Sequence, residues 1–474
     1  MQNKKVFILL PDGVGLRNFA FTNFHQLGID EGFDITFWNA TPFKLEELGF
    51  KELKISNPKA HPITYILKKA QTQIELSQNI KKSKDKVYDS YRFPFSQTNL
   101  KEIIKTLMVR SVIFFNNSQN GLNRIRKKIA LNERKTKLYF DSFETLKAEK
   151  PAMVFCTNQR MTTTVASILA AQDLEIPTAT FIFSWDNLPK GTKIIETDFY
   201  FVWSKHMKNE LRYYYPYVKE EQILIAGTPQ FEPHFDKEFL QSKEAFYQKY
   251  NLDIAKKYIC FSGDDVTTSP NDAQYLLDVA NAIEELNARG NNLGIIFRRC
   301  PVDFSNRYDA VLERHKDIIV AINPEWKKIG EGWDTILPTK EDLVLQMNTI
   351  FYSELVINLG SSMVFDFVAF NKPCGFINYE VPNAEFPNWS VKKIYNFIHF
   401  KSMPSKNSVF WISSPNAMGE IIKEMLSKDS AKVVENAKEW FEIITQHPPE
   451  NTSKRIWNAI EKIIEKQLWQ KTHY

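Results

Sequence analysis

The stretch Val356-Ile357-Asn358-Leu359-Gly360-Ser361-Ser362-Met363-Val364-Phe365-Asp366, followed by Asn371-Lys372-Pro373, decides how the chain is read. A short apolar run of the kind buried in a parallel sheet ends at Asn358, a glycine turns the chain, and two serines open a helix-patterned segment. Such a strand–turn–helix unit presents backbone N–H groups and hydroxyls to an anion, and the helix dipole adds to the attraction. Asp366 follows Ser362 by four residues, one helical turn on and on the same face, where a carboxylate can accept hydrogen bonds from a diol. Ordinary N-capping by Ser361 or Ser362 is the competing reading.

The same alternation extends outward in both directions. Around the central stretch, strands are expected at 258–261, 293–297, 318–321, 355–358 and 374–378, with helices at 273–289, 340–348 and 362–370. Toward the N-terminus, strands are expected at 4–10, 33–38, 152–156, 178–183, 199–203 and 222–226. Helices are expected from about Arg17, at 162–173 and at 205–215. Strands separated by helices indicate parallel βαβ units, and the pattern breaks at Gly227-Thr228-Pro229. The expected fold is α/β, with two doubly wound, Rossmann-like domains facing a cleft. Residues 1–228 form the first, with a basic helical insertion at about 61–150 whose longest helix covers 100–134. Residues 229–450 form the second, and 451–474 a C-terminal helix that packs back on the first. The tail from about Ser413 reads as helical throughout. Ligands of such folds sit beyond the carboxyl ends of the strands.

Composition narrows the class. The chain has 474 residues, 43% hydrophobic and 25% charged, which suits a soluble globular protein of two or three domains. No apolar run approaches the ~18 residues of a membrane span, and the N-terminal one stops at Pro11, too short for a signal peptide, so a cytoplasmic location is expected. The four cysteines lie far apart without a CxxC, the eight histidines form no HxxxH or HExxH, and no DxD occurs. Neither a disulfide framework nor a metal site is expected, and the lack of a GxSxG removes support for a hydrolase nucleophile. The net charge of +5 is too weak to imply nucleic acid, but it is unevenly placed. His61–Lys150 holds 19 Lys/Arg against 8 Asp/Glu, a net of +11, which leaves −6 for the rest. Aromatics, among them Tyr88, Tyr91, Phe93, Phe95, Phe114 and Phe115, are interleaved with these charges. A face of this kind suits anionic lipid headgroups or a phosphorylated acceptor; a solvated helical surface is the alternative.

Four further turns carry candidate chemistry. Phe297-Arg298-Arg299-Cys300-Pro301 closes a strand with an arginine pair, whose planar forks of donors suit phosphate. Ser262-Gly263-Asp264-Asp265 follows the first strand of the second half, and Gly263 there permits close ligand approach. Pro11-Asp12-Gly13-Val14-Gly15-Leu16-Arg17-Asn18 is the first strand-to-helix turn, an incomplete dinucleotide fingerprint that can still offer Gly13, Gly15 and Arg17 to a ligand. In Ser184-Trp185-Asp186-Asn187-Leu188-Pro189-Lys190-Gly191, Asp186 can take a proton from a hydroxyl and Trp185 can stack on a sugar face. An Asx-turn closed by Pro189 and Gly191 is the alternative.

The order of these motifs, with Val202-Trp203-Ser204 and Ala226-Gly227-Thr228-Pro229, resembles GT-B glycosyltransferases. Over residues 151–470 it is most similar to bacterial surface-polysaccharide transferases near the Kdo transferases and the CDP-glycerol glycerophosphotransferases. Where those often show Arg-x-His-Pro, this chain has Arg298-Arg299-Cys300-Pro301. The resemblance implies transfer from a nucleotide-sugar donor, without cofactor or metal, to an anionic cell-surface glycan or lipid-linked acceptor, with an inner-membrane surface as a further partner and no nucleic acid. Donor binding then falls to Gly263, Arg298, Arg299, Gly360, Ser361 and Ser362, with Asp366 on the ribose and Arg299 neutralising the leaving group. The acceptor side comprises Gly13, Gly15, Arg17, Trp185, Asn187 and Lys190. Asp186 is the first choice of base and Asp12 the second. A hydrolysing sugar-nucleotide 2-epimerase and a non-catalytic nucleotide-sugar-binding protein are the competing readings.

Overall fold

Apolar runs such as Lys5–Leu10 become strands because a segment buried on both faces satisfies its backbone N–H and C=O groups only by pairing with neighbours. A computed structural model of the chain describes residues 3–95, 98–329, 336–382 and 385–473, with side chains to Lys466. Met1, Gln2 and Tyr474, the ends of the expected domains, lie outside the described residues. The chain divides into two units, the first chiefly Met1–Pro229 and Ile444–Tyr474, the second Gln230–Lys328 and Ile336–Ile443.

In the first unit β1 (Lys5–Leu10), β2 (Asp34–Asn39), β3 (Glu52–Lys54), β4 (Met153–Cys156), β5 (Thr178–Phe181), β6 (Phe199–Val202) and β7 (Ile223–Ile225) form one sheet. All pairs are parallel, in the order β3-β2-β1-β4-β5-β6-β7. The helices are α1 (Gly13–Ala20), α2 (Asn23–Asp30), α3 (Pro62–Ser83), α4 (Leu100–Asn116), α5 (Gln119–Glu133), α6 (Lys137–Glu149), α7 (Val165–Asp173) and α8 (Lys205–Tyr214). The single helix expected over 100–134 is therefore two. Ser118 caps α5 by accepting from the Gly121 N–H at 3.0 Å. A Cβ on Gly121 would fall 2.0 Å from the Asn116 carbonyl oxygen, so only glycine allows so tight a junction. Helix α1 starts at Gly13 rather than Arg17, because the Asp12 carboxylate caps it there. Strand β3, short, charged and at the sheet edge, has no apolar signature and was not expected.

The second unit contains β8 (Lys257–Ser262), β9 (Leu293–Arg298), β10 (Ile319–Ile322), the short antiparallel pair β11 (Lys327–Lys328) and β12 (Ile336–Leu337), β13 (Ser353–Asn358), β14 (Cys374–Ile377) and β15 (Phe410–Ile412). Its main sheet is again wholly parallel, in the order β10-β9-β8-β13-β14-β15. Helices α9 (Lys243–Lys249), α10 (Asp272–Ala288), α11 (Asp309–Arg314), α12 (Lys340–Tyr352), α13 (Met363–Ala369), α14 (Val391–Tyr395), α15 (Met418–Leu426) and α16 (Ala431–Ile444) accompany it. Both sheets thus have two doubly wound halves, and the strand order reverses between β1 and β4 in the first and between β8 and β13 in the second.

The tail is not one helical run. It breaks at Ser427 and again at 445–448, and the chain rejoins the first unit at Ile444, where a change at 450/451 was expected. The final helix α17 (Thr452–His473) lies in the first unit. There the buried Trp457 ring stacks on Phe24 and on Phe33, with centroids 4.6 Å apart in both pairs. Its indole N–H donates to the Phe24 carbonyl at 2.8 Å. Gly28 makes room for it: a Cβ at that position would lie 2.4 Å from the indole. Lys4 and Glu461 add an ion pair at 2.7 Å. Truncation of so enclosed an aromatic costs about 3–5 kcal/mol. Trp457→Ala is therefore expected to lower the urea midpoint of the first unit markedly, read by far-UV circular dichroism. A parental midpoint would show that the stack does not anchor α17.

Candidate functional site

In the second unit the loops after β8, β9, β13 and β14 all leave the sheet at the same edge, as parallel pairing requires. After β13, the Asn358 side chain accepts from the Ser361 N–H at 2.8 Å and closes the turn, with Gly360 left-handed at φ +66°. Ser361 Oγ accepts from the Met363 N–H at 3.4 Å, while the Ser362 hydroxyl makes no capping bond to α13. Of the two candidate caps, only Ser361 bonds the helix backbone through its side chain. A Cβ on Gly360 would meet Phe400 at 3.0 Å and Tyr395 at 3.2 Å, so the turn rests on an aromatic wall. Those two rings, with Trp411, Asn378, Lys392 and Lys406, line a cavity of about 610 Å³. Asp366 sits on α13 and its Oδ1 lies 2.8 Å from Nε2 of the fully buried His234.

The two arginines at the end of β9 part company. Arg298 is buried and directs Nη2 to both oxygens of Asp342, at 2.9 and 3.2 Å. Trp326 and the Glu325 N–H also donate to that carboxylate, so Arg298 is one member of a buried ion pair and not an open donor fork. Arg299 is half-buried, donates Nη1 to the Ser305 carbonyl at 2.8 Å and lies over the Tyr308 ring. Gly263 also has a packing role: a Cβ there would fall 2.9 Å from the Tyr308 hydroxyl and 3.2 Å from Phe297. Next to it, Asp264, Asp265 and Asp272 crowd together. Asp272 accepts from Ser269 Oγ, from the Asp264 N–H and from the Tyr308 hydroxyl. Burial, then the neighbouring Asp272 and Asp265 carboxylates, push the Asp264 carboxyl up to about 8; burial pushes Asp272 up to about 6.

In the first unit the polar groups collect at the reversal between β1 and β4. Asp12 is fully buried; Oδ1 accepts from the Gly15 N–H at 2.9 Å and Oδ2 from Asn158 at 2.8 Å. Burial raises its carboxyl above the usual range. Gly13 and Gly15 belong to α1, and Gly15 allows the helix to approach β4: a Cβ there would lie 2.5 Å from Thr157 Oγ1. Arg17 stands in the last turn of the same helix. After β5, Asn187 is buried between Asp186, to which it donates at 2.8 Å, and Gln159, from which it accepts at 3.2 Å. Lys190 closes an ion pair on Asp186 Oδ2, and Gly191 turns at φ +63°. Asp186 and Trp185 keep partial exposure.

Several residues here escaped the motif reading. Lys68 on α3 donates to the Arg160 carbonyl, and burial with the Arg160 charge pushes its ammonium down to about 8. Asn158, Gln159 and Arg160 join it after β4, and His234 in the second unit faces Asp366. The Thr157-Asn158-Gln159-Arg160 run directly after an apolar strand was the available signal; Lys68 and His234 had none. Among the described residues no group of three or more His, Cys, Asp or Glu is placed to hold a metal ion.

Two wholly parallel, doubly wound sheets in one chain, each with its loops gathered at a strand-order reversal, and a helical tail define the GT-B fold. No protein-family model and no curated protein matches the sequence. Solved structures do match over nearly the whole chain. S. aureus MnaA with UDP shares 13% identity over 98% of this chain and 97% of that one, with a TM-score of 0.53. A UDP-N-acetylglucosamine 2-epimerase shares 11% over 100% and 98%, at 0.53, and a glycosyltransferase from Rickettsia africae 10% over 98% and 100%, at 0.50.

The raised carboxyls of the second unit have a consequence for stability. Between the ordinary aspartate value of 3.8 and about 8, folded Asp264 holds a proton that the unfolded chain has released, so this group's contribution falls as pH rises through that window. Asp264→Asn keeps an acceptor for the Asp265 N–H and removes the penalty. Its melting temperature is expected to exceed the parent's above about pH 8 and to converge on it toward about pH 4. Parallel melting curves across that range would show Asp264 to titrate normally.

Proposed function

We propose that the chain is a metal-independent glycosyltransferase of the bacterial surface-polysaccharide type. It moves a sugar from a nucleotide donor to an anionic glycan or lipid-linked acceptor on the cytoplasmic side of the membrane. One observation carries this reading: Arg299, the Gly360-Ser361-Ser362 turn and the aromatic-walled cavity sit at or beside one edge of the second sheet. Tyr395, Phe400 and Trp411 offer flat apolar surface to a nucleoside, and the turn offers its serine hydroxyls to the diphosphate. Asp366 supplies a carboxylate for the ribose, with Oδ1 held at 2.8 Å from His234 Nε2. The UDP in S. aureus MnaA makes uridine diphosphate the first nucleotide to test.

Glycosyl transfer passes through an oxocarbenium-like state, and negative charge builds on the departing diphosphate. Preorganised donors at that oxygen contribute most, which assigns the task to Arg299 and the turn. An inverting reaction needs a carboxylate base. Asp186 is favoured over Asp12, because Asp12 is wholly buried whereas Asp186 keeps exposed surface. The basic helices α3 to α6 give an anionic acceptor its attraction.

Hydrolysing 2-epimerisation is the second reading, supported by the fold shared with a UDP-N-acetylglucosamine 2-epimerase. Incubation with UDP-sugars labelled in the hexose separates the outcomes: label on an added acceptor supports transfer, a free 2-epimer supports epimerisation, and an untouched donor supports binding alone. Within the transferase reading, Arg299→Ala is expected to weaken nucleotide affinity by roughly ten- to a hundredfold in calorimetry. Asp186→Asn is expected to lower kcat by roughly 10²–10⁴ with donor affinity retained, and normal turnover would reduce the residue to a turn former.

A further inference from the structure

Helix α4 has two apolar faces, and among the described residues only one of them is packed against the rest of the protein. Thr106 and Val109 are buried, while Val112 and Ile113 pack against the core of the first unit. On the opposite side Leu100, Ile104, Leu107, Met108, Phe114 and Phe115 point outward within about a third of the helix circumference. Exposure reaches 59% at Leu107, 80% at Phe114 and 70% at Phe115, values that a packed helix has no reason to tolerate. Phe93, seven residues before the helix, is 80% exposed as well.

Charge frames this stripe. Lys101 and Lys105 flank it on one side and Arg110, stacked over Phe95, on the other. The helix carries a single acidic residue, Glu102, and it is engaged by Lys105 at 2.6 Å. Arg124, Lys127 and Lys128 on α5 are exposed too, whereas Arg126 is not: it lies within 3.6 Å of buried Glu75 and 3.5 Å of Glu196, over the Tyr217 ring. No helix among the described residues is long and apolar enough to cross a membrane.

We propose that the outward face of α4, with Phe93, is an interfacial anchor that lies in the surface of an anionic lipid bilayer. Its apolar side chains enter the headgroup–acyl boundary, while Lys101, Lys105 and Arg110 meet lipid phosphates from both flanks. A second copy of the chain is the less suitable occupant, because it would bring the same cationic rim against this one. The inference stands apart from the transferase reading, since it needs no donor, acceptor or turnover.

Flotation of the full chain with phosphatidylcholine vesicles, with and without phosphatidylglycerol, tests it at low and high salt. The parent is expected to float with the anionic vesicles, less so in salt. Leu107→Ser, Phe114→Ser and Phe115→Ser combined alter only exposed side chains and are expected to reduce vesicle partitioning by roughly a hundredfold. Lys101→Gln, Lys105→Gln and Arg110→Gln combined are expected to remove the salt-sensitive part. A parent that does not float, or a serine variant that floats like the parent, overturns the proposal. So does a parental dimer in sedimentation that the serine variant dissociates, which would assign the face to a second copy. UDP titration of the serine variant is expected to match the parent, so failure of the anchor and failure of the donor site are read separately.

Discussion

Parallel pairing of every strand in the two main sheets is the constraint on which the rest depends. Parallel neighbours cannot be joined by a tight turn; each needs a crossover, and each crossover starts at the same edge of its sheet. Every strand therefore delivers its first loop residues to one place. In the second unit this assembles Gly263, Arg299 and the Gly360-Ser361-Ser362 turn from segments far apart in sequence. At the reversal of strand order the crossovers diverge to opposite faces and leave room that side chains do not fill. The aromatic-walled cavity lies beyond this point, on the β14–β15 side.

Burial of charge is the second constraint. A buried ion without partners is costly, so each one found here is tied into a network. Arg298 and Asp342 bind the end of β9 to α12, and Asp12 binds α1 to the β4 loop. Glu75 and Arg126 of the helical insertion form one cluster with Lys193 and Glu196 of the β5–β6 connection; burial pushes the Glu75 carboxyl up to about 7 and lowers the Lys193 ammonium. That cluster fixes α3 and α5 to the Rossmann sheet through the rings of Tyr200, Tyr215 and Tyr217. Residues that read as a basic surface thus split into two kinds: Arg126 and Arg134 hold the insertion in place, and Lys127 and Lys128 face solvent.

The insertion is also where ordinary amphipathic logic fails. A helix that packs on a core normally turns polar side chains outward. Helix α4 turns leucines and phenylalanines outward and keeps a threonine among its buried residues.

The sequence by itself determined the fold class, because period and polarity suffice for it. Runs such as Val6–Leu10 and Leu355–Asn358 have no alternation, which marks strands buried on both faces, and the helices between them force parallel order. It also located the loops that carry the candidate chemistry, since each follows a strand end. What it left open were properties of distance. No pattern in one dimension tells that Arg298 meets Asp342 while Arg299 remains at the edge, that His234 meets Asp366 across more than a hundred residues, or that Gly15 and Gly263 serve packing. Nor does it separate the two faces of α4, both apolar in the sequence, into one that packs and one that does not. Those outcomes were decided by tertiary structure, because which polar groups are free and which apolar faces are covered depends on what the rest of the chain brings against them.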